Sequence, residues 1–296
     1  MKRKLVVLGG SLFVNLPTKF VKENSLEKGQ DVDIEIEGER LIILPGASDS
    51  IEKSFKVDIK NFPRTGGRYI VAAYRIGFDK LIIDFSNPNY INQIPIELGE
   101  NTIGFEIIKQ EPNSCTVKNL SQSNEEDLNE IVKRIWFLLL DMGKDMAEAF
   151  KKNDVEVLKN IYSREKNINK FTNYSLRLLL ENKLLDQKTS HIIYYFIRYF
   201  ENFSDDLENL ANRALEQKIS PLFIETFEKS IMLLQKFYNL YYTFTIEKSE
   251  ELILETEKLY NKIKNQKDPC FMELYNLLKK IKRLNSVIIE LNILKR

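Results

Sequence analysis

The 296-residue chain has a single histidine, His191, and two cysteines, Cys115 and Cys270. One histidine excludes any mechanism that needs a histidine pair or a histidine-rich metal cage within one chain. Two distant cysteines without a CxxC spacing exclude a disulfide framework and a cysteine-type zinc site, and fit a reducing, cytoplasmic setting. Carboxylates are left as the abundant metal ligands. Net charge is also scarce: Lys+Arg 44 against Asp+Glu 43 leaves +1, which excludes a uniformly basic coat but not a local basic face. There is no apolar run of about 20 residues, so no membrane-spanning helix is expected. The basic and apolar start, Lys2 to Val14, lacks a small-x-small cleavage site. Asn15-Leu16-Pro17 leads straight into Lys19 and Lys22, so the start reads as structure rather than as a signal peptide.

What is present is a foldable composition, 43% hydrophobic and 29% charged, at a length suited to two or three domains. The fold class expected is multidomain α+β. In residues 1–47, runs at Lys4 to Leu8, Ser11 to Leu16, Asp31 to Glu37 and Arg40 to Leu44 read as strands. Gly9-Gly10 and Gly38-Glu39 lie between strand pairs, the latter a hairpin signal. Some 45 residues bury too little surface to be stable alone, so this unit is expected to close its core against a second copy. Residues 48–120 mix strands (Phe55 to Ile59, Leu81 to Phe85, Thr102 to Ile108, Ser114 to Val117) with a helix capped by Thr65 and stopped at Gly77. From Ser123, which forms a capping box with Glu126, residues 121–296 have helical periodicity. They divide into two groups of three helices, 121–218 and 219–296, with Asn153-Asp154 and Ser220-Pro221 as breaks. Arg164 to Lys170 echoes Thr256 to Lys262, which suggests an internal duplication.

The charge is segregated at the start. Lys2, Arg3, Lys4, Lys19 and Lys22 are basic with no acid before Glu23, whereas Glu23 to Arg40 carries seven acids against two bases. A paired unit would present ten cations to a phosphate backbone, and a solvated lysine-rich terminus is the bland alternative. Gly10 to Phe20, with Leu16-Pro17-Thr18-Lys19, then Leu26-Glu27-Lys28-Gly29-Gln30-Asp31 and Leu41 to Pro45, resembles the AbrB/SpoVT DNA-binding domain. Thr18 stands where that family has its first lysine, and Gln30 precedes its usual acid. The resemblance implies a swapped-hairpin homodimer on duplex DNA, with Lys2, Arg3, Lys4, Asn15, Thr18, Lys19 and Lys22 facing it.

Farther on, Glu201, Asp205 and Glu208 form an acidic stripe at i, i+4 and i+7, commonly a solvated face. The segment Phe200 to Asp205 resembles the signature of the PhoU family, a duplicated three-helix bundle whose paired acids hold metal ions. That resemblance implies a divalent or iron-type ion at Glu165, Glu201 and Asp205 in the first repeat. In the second repeat, Glu257-x-x-x-Asn261 and Lys279-x-x-x-Arg283 have lost the ligands. Together the two resemblances match the archaeal phosphate-uptake-regulator arrangement. They imply a transcriptional regulator of phosphate uptake that senses through its helical domain. The alternative is an adaptor that keeps the β unit for dimerisation and docks its bundle on a phosphate transporter or sensor kinase. An enzyme is disfavoured by the lone histidine and the broken acid pairs. Arg64-Thr65-Gly66-Gly67-Arg68 reads as a capped helix start rather than an anion site, Trp136 as core, and His191 as a surface or packing residue.

Overall fold

The computed structural model describes residues 2–37, 40–45, 53–60, 65–121, 127–181 and 185–294. The chain is mixed α+β, about 66% helical, with a small β region and a long C-terminal helical region. It forms two compact units, Met1–Glu52 and Lys53–Arg296. The middle α+β segment and the helices that follow it thus share one unit.

In the first unit β1 (Val6–Leu8) and β2 (Ser11–Phe13) form an antiparallel hairpin with Val6 opposite Phe13 and Leu8 opposite Ser11. Gly9 and Gly10 both have positive φ, 58° and 85°. A two-residue turn that matches the strand twist needs positive φ at both central positions, which is why two glycines stand there. The second strand stops at Phe13 rather than Leu16, and α1 (Thr18–Glu23), unforeseen in the sequence, follows Pro17. It ends at Asn24, whose side-chain amide donates to the Phe20 carbonyl at 2.9 Å. A second hairpin pairs β3 (Val32–Glu37) with β4 (Arg40–Pro45), Ile34 opposite Ile43 and Ile36 opposite Leu41. Its expected turn, Gly38-Glu39, lies outside the described residues.

The second unit opens with a four-stranded sheet in the order β5 (Ser54–Asp58), β6 (Lys80–Asp84), β8 (Ser114–Asn119), β7 (Phe105–Glu111). β5 and β6 are parallel, so a crossover must join them, and α2 (Gly66–Ile76) supplies it. Thr65 occupies its N-cap without a side-chain capping bond. Gly77 (φ 91°) closes the helix, with Gly77 and Phe78 N–H groups donating to the Tyr74 and Ala73 carbonyls. The Asn- and Pro-rich stretch after β6 folds into a 3-10 turn, Pro88–Asn92, and a helix, α3 (Ile94–Asn101), that periodicity did not reveal. One sheet face (Val57, Leu81, Ile83, Phe105, Cys115, Val117) packs with Ile70 and Tyr74 of α2 and Ile94 and Leu98 of α3.

The helical region comprises α4 (Asp127–Lys152), the short α5 (Val155–Lys159), α6 (Ile161–Glu181), α7 (Gln187–Glu216), α8 (Pro221–Tyr242), α9 (Ile246–Ile263) and α10 (Pro269–Leu294). The capping box at Ser123 and Glu126 lies outside the described residues. Asn153 takes positive φ and Asp154 caps α5 by accepting from the Val157 N–H at 3.2 Å; Ser220 likewise caps α8 at Phe223. The echo at 164–170 and 256–262 falls on α6 and α9, the middle long helices of the two sets. Trp136 is fully buried, edge-on to Phe200 with ring centroids 5.0 Å apart. Tyr174 and Leu178 on α6 enter the sheet's core, while Ile161, Ile168 and Leu176 of the same helix enter the bundle's core. α6 is therefore the shared wall between the two layers. Among the described residues no helix is long and apolar enough to cross a membrane.

Candidate functional site

The seven basic and polar residues singled out at the start fall on three segments of the first unit. Lys2, Arg3 and Lys4 precede β1, Asn15 follows β2, and Thr18, Lys19 and Lys22 lie on α1; all seven are exposed. Lys19 lies 3.7 Å from Glu23, a fully solvated pair one helical turn apart that contributes little. Among the residues of this unit whose side chains are described none is buried. Leu5, Val7, Leu8, Leu12, Ile34 and Leu41 are each more than half exposed, and Ile36 is 80% exposed. Two isolated hairpins with their aliphatic side chains in water are marginal at best.

The acids expected to act together are divided between two clusters. Glu165, on α6, is 1% exposed, and burial raises its carboxyl to about 7. Lys166, whose ammonium lies 3.2 Å from Glu165 Oε2, opposes that shift, while Asp205 and Glu208 of α7 reinforce it. Asn169 Nδ2 donates to Glu165 Oε1. Burial raises Asp205 as well, and its hydrogen bond with Glu165 pulls it back down. The direction that stands for the pair is upward, because burial disfavours a charge on either carboxyl.

Glu201 is held elsewhere. Arg75 of α2 grips both its oxygens, at 3.1 and 3.3 Å, and Arg198 binds it from one turn away. Arg75 also donates to Asn173 Oδ1 at 2.6 Å, and Asn173 donates to the Asn101 carbonyl at 2.8 Å, so the cluster joins α2, α3, α6 and α7. Two guanidinium groups satisfy this carboxylate, which leaves Glu165 and Asp205 together and Glu201 apart. Among the described residues no group of three His, Cys, Asp or Glu side chains is arranged to hold a metal ion. In the second repeat Glu257 is half-exposed and pairs with Lys282 at 2.6 Å, in contrast to the buried Glu165.

Two further charged residues were not singled out in the sequence. Arg177, 2% exposed, lies inside the apolar run of α6 and donates to the Tyr74 and Phe78 carbonyls (3.1 and 2.7 Å) and to Asp79 and Glu181 (3.0 and 3.2 Å). A lone arginine among Leu176, Leu178 and Leu179 was the signal, because such a charge must find partners when its helix is buried. Asp206 binds Lys280 of α10 at 2.7 Å; burial raises its carboxyl although the ammonium opposes the rise. His191 is exposed near the start of α7. Arg64 lies outside the described residues, so the helix start at Gly66-Gly67 is described without it. No family model, curated protein or solved structure matches the chain.

Proposed function

We propose that the chain is a homodimeric DNA-binding regulator, gripping duplex DNA through its paired N-terminal units and responding through its helical region. The observation that carries the reading is the first unit's aliphatic surface, left in water on a single chain. Burying a leucine, valine or isoleucine side chain is worth about 1.5–3 kcal/mol. Seven such side chains, Leu5, Val7, Leu8, Leu12, Ile34, Ile36 and Leu41, therefore favour a second copy strongly enough to make pairing part of folding. Pairing also brings two sets of Lys2, Arg3, Lys4, Lys19 and Lys22 into one assembly. Phosphate contacts made by these cations release counterions, so binding should weaken with log salt by about 0.9 per contact. The ββαββ order agrees with the AbrB/SpoVT resemblance, and the two three-helix sets agree with the PhoU resemblance. Phosphate uptake is the regulated process on that second likeness.

Fluorescence anisotropy of the full chain on duplex DNA, titrated with salt, tests the reading. Arg3→Glu, Lys4→Glu and Lys19→Glu together should abolish binding. Unchanged affinity in that variant removes the DNA claim and leaves dimerisation as the unit's role.

A further inference from the structure

β7 stands at one end of the sheet order and pairs only with β8. The Leu120 N–H donates to the Gly104 carbonyl at 2.7 Å, which makes theirs a hydrogen-bonded pair. Such pairs alternate with non-bonded ones along an antiparallel ladder. Phe105 and Ile107, opposite Asn119 and Val117, therefore turn their N–H and C=O groups away from β8. Beside this free edge lies a cavity of about 340 Å³, bounded by β7, α3 and Lys170 of α6, a size within the range of small-ligand sites. Its apolar walls are Leu98, Phe105 and Ile107. The Thr102 hydroxyl is already spent, donating to the Leu98 carbonyl at 2.8 Å. Glu106 also lines the cavity, but it is exposed and points to the opposite strand face from Phe105 and Ile107.

Lys170 is the feature that points to a ligand. Arg75, Arg164, Lys166, Arg177, Arg198 and Lys280 are partly or fully buried, and each lies within 3.2 Å of a carboxylate. Lys80 and Lys118, also partly buried, are engaged too. Among the described residues Lys170 is the one partly buried cation with no ion pair, hydrogen bond or ring contact. A half-desolvated ammonium without a counter-charge is unfavourable, and an anion in the cavity supplies what the fold does not. Gly99 keeps the cavity open. It sits inside α3, where glycine is the least favourable residue after proline, yet a Cβ there would meet nothing within 4 Å. A side chain is thus missing from a position on the cavity wall that has room for one.

We infer that this cavity binds a small carboxylate-ended ligand with an apolar body and an amide. The carboxylate meets the Lys170 ammonium, the apolar body lies against Leu98, Phe105 and Ile107, and the amide pairs with the outward N–H and C=O groups of β7. A lone ammonium selects one negative charge, and the donor and acceptor of a strand edge select an amide. This is the chemistry of an acylated apolar amino acid, free or at the C-terminus of a peptide. The site lies wholly in the second unit and does not depend on DNA binding.

Saturation-transfer NMR titration of the full chain with N-acetyl-L-leucine tests it, against N-acetyl-L-leucinamide, which lacks the charge. N-acetyl-L-leucine should bind saturably and the leucinamide about tenfold more weakly, the worth of a charge-assisted hydrogen bond. Lys170→Met should lower the affinity for the acid to that for the leucinamide, and Lys170→Arg should retain it. Gly99→Leu should abolish binding of both probes by filling the cavity, with a urea midpoint equal to or above that of the parent because helix propensity rises. Emission of the buried Trp136 verifies that each variant is folded. A pentapeptide ending in leucine that binds tighter than N-acetyl-L-leucine identifies a polypeptide C-terminus as the source of the ligand, and one that binds equally or more weakly identifies the free acid. No saturable binding of N-acetyl-L-leucine, equal affinity of the parent chain for acid and leucinamide, or binding unmoved by Lys170→Met or by Gly99→Leu overturns the inference.

Discussion

Replacing Arg177 by methionine removes the charge and the hydrogen bonds at the wall between sheet and bundle while keeping most of the volume. The guanidinium is 2% exposed and meets four oxygen partners, two of them backbone carbonyls, of which that of Tyr74 also accepts from the Gly77 N–H. It also lies over the rings of Tyr74 and Phe105, at 5.2 and 5.5 Å. Removing one partner of a buried charge pair costs about 3–5 kcal/mol, since the remaining charge stays desolvated. The Asp79 and Glu181 side chains are 32% and 20% exposed, so water recovers part of that loss and the lower end, about 3 kcal/mol, is expected. Urea unfolding followed by Trp136, the single tryptophan, reports on the bundle core directly. At a slope of about 2.5 kcal/mol/M the midpoint should fall by about 1.2 M. Adding Asp79→Asn and Glu181→Gln should recover part of the loss, because those carboxylates no longer carry an unpaired charge. A midpoint unchanged in Arg177→Met, or a triple variant weaker than the single, would refute the assignment of Arg177 as the clamp between the layers.

Glu165 sets a pH dependence of defined sign. Its folded-state carboxyl is raised from 4.5 to about 7, so the native state holds a proton that the unfolded chain releases. Stability is therefore full below the ordinary carboxyl range and is lost as pH rises from about 4.5 through about 7. Glu165→Gln should flatten the urea midpoint across that window, and a parent chain that gains stability over the same range would show the sign to be wrong. Gly143→Val should destabilise the α4–α8 seam by about 2 kcal/mol, because its branched side chain meets Ile231 at sub-contact distance. Thermal unfolding measures this, and an undiminished melting temperature would mean that Ile231 moves aside without cost.

Period-two alternation marked β3, β4 and β5, a short apolar run marked β6, and Asp154, Ser220 and Gly77 marked helix boundaries, because these signals act within a few residues of the chain. α3 escaped notice: Pro95 sits at its start and its eight residues are too few for a helical stripe to emerge from an Asn-rich background. α1 did so for the same reason, at six residues. The acidic stripe on α7 was visible as a pattern, but its division was not. Helix periodicity places Glu201 and Asp205 one turn apart, yet α2 delivers Arg75 from 126 positions away to the first, and α6 delivers Glu165 to the second.

The sequence by itself determined the segregation of charge in the first 40 residues, the excess of aliphatic side chains in a unit too small to bury them, and the two sets of long amphipathic helices, since composition and short-range periodicity suffice for each. Tertiary structure alone decided that α6 serves both cores, that Arg177 is buried against its partners, that Glu165 is buried on the side of Asp205 while Glu201 pairs with arginine, and that α4 and α8 meet at Gly143. Those outcomes depend on desolvation and on distances between residues far apart in the chain, and neither quantity exists until the helices have packed.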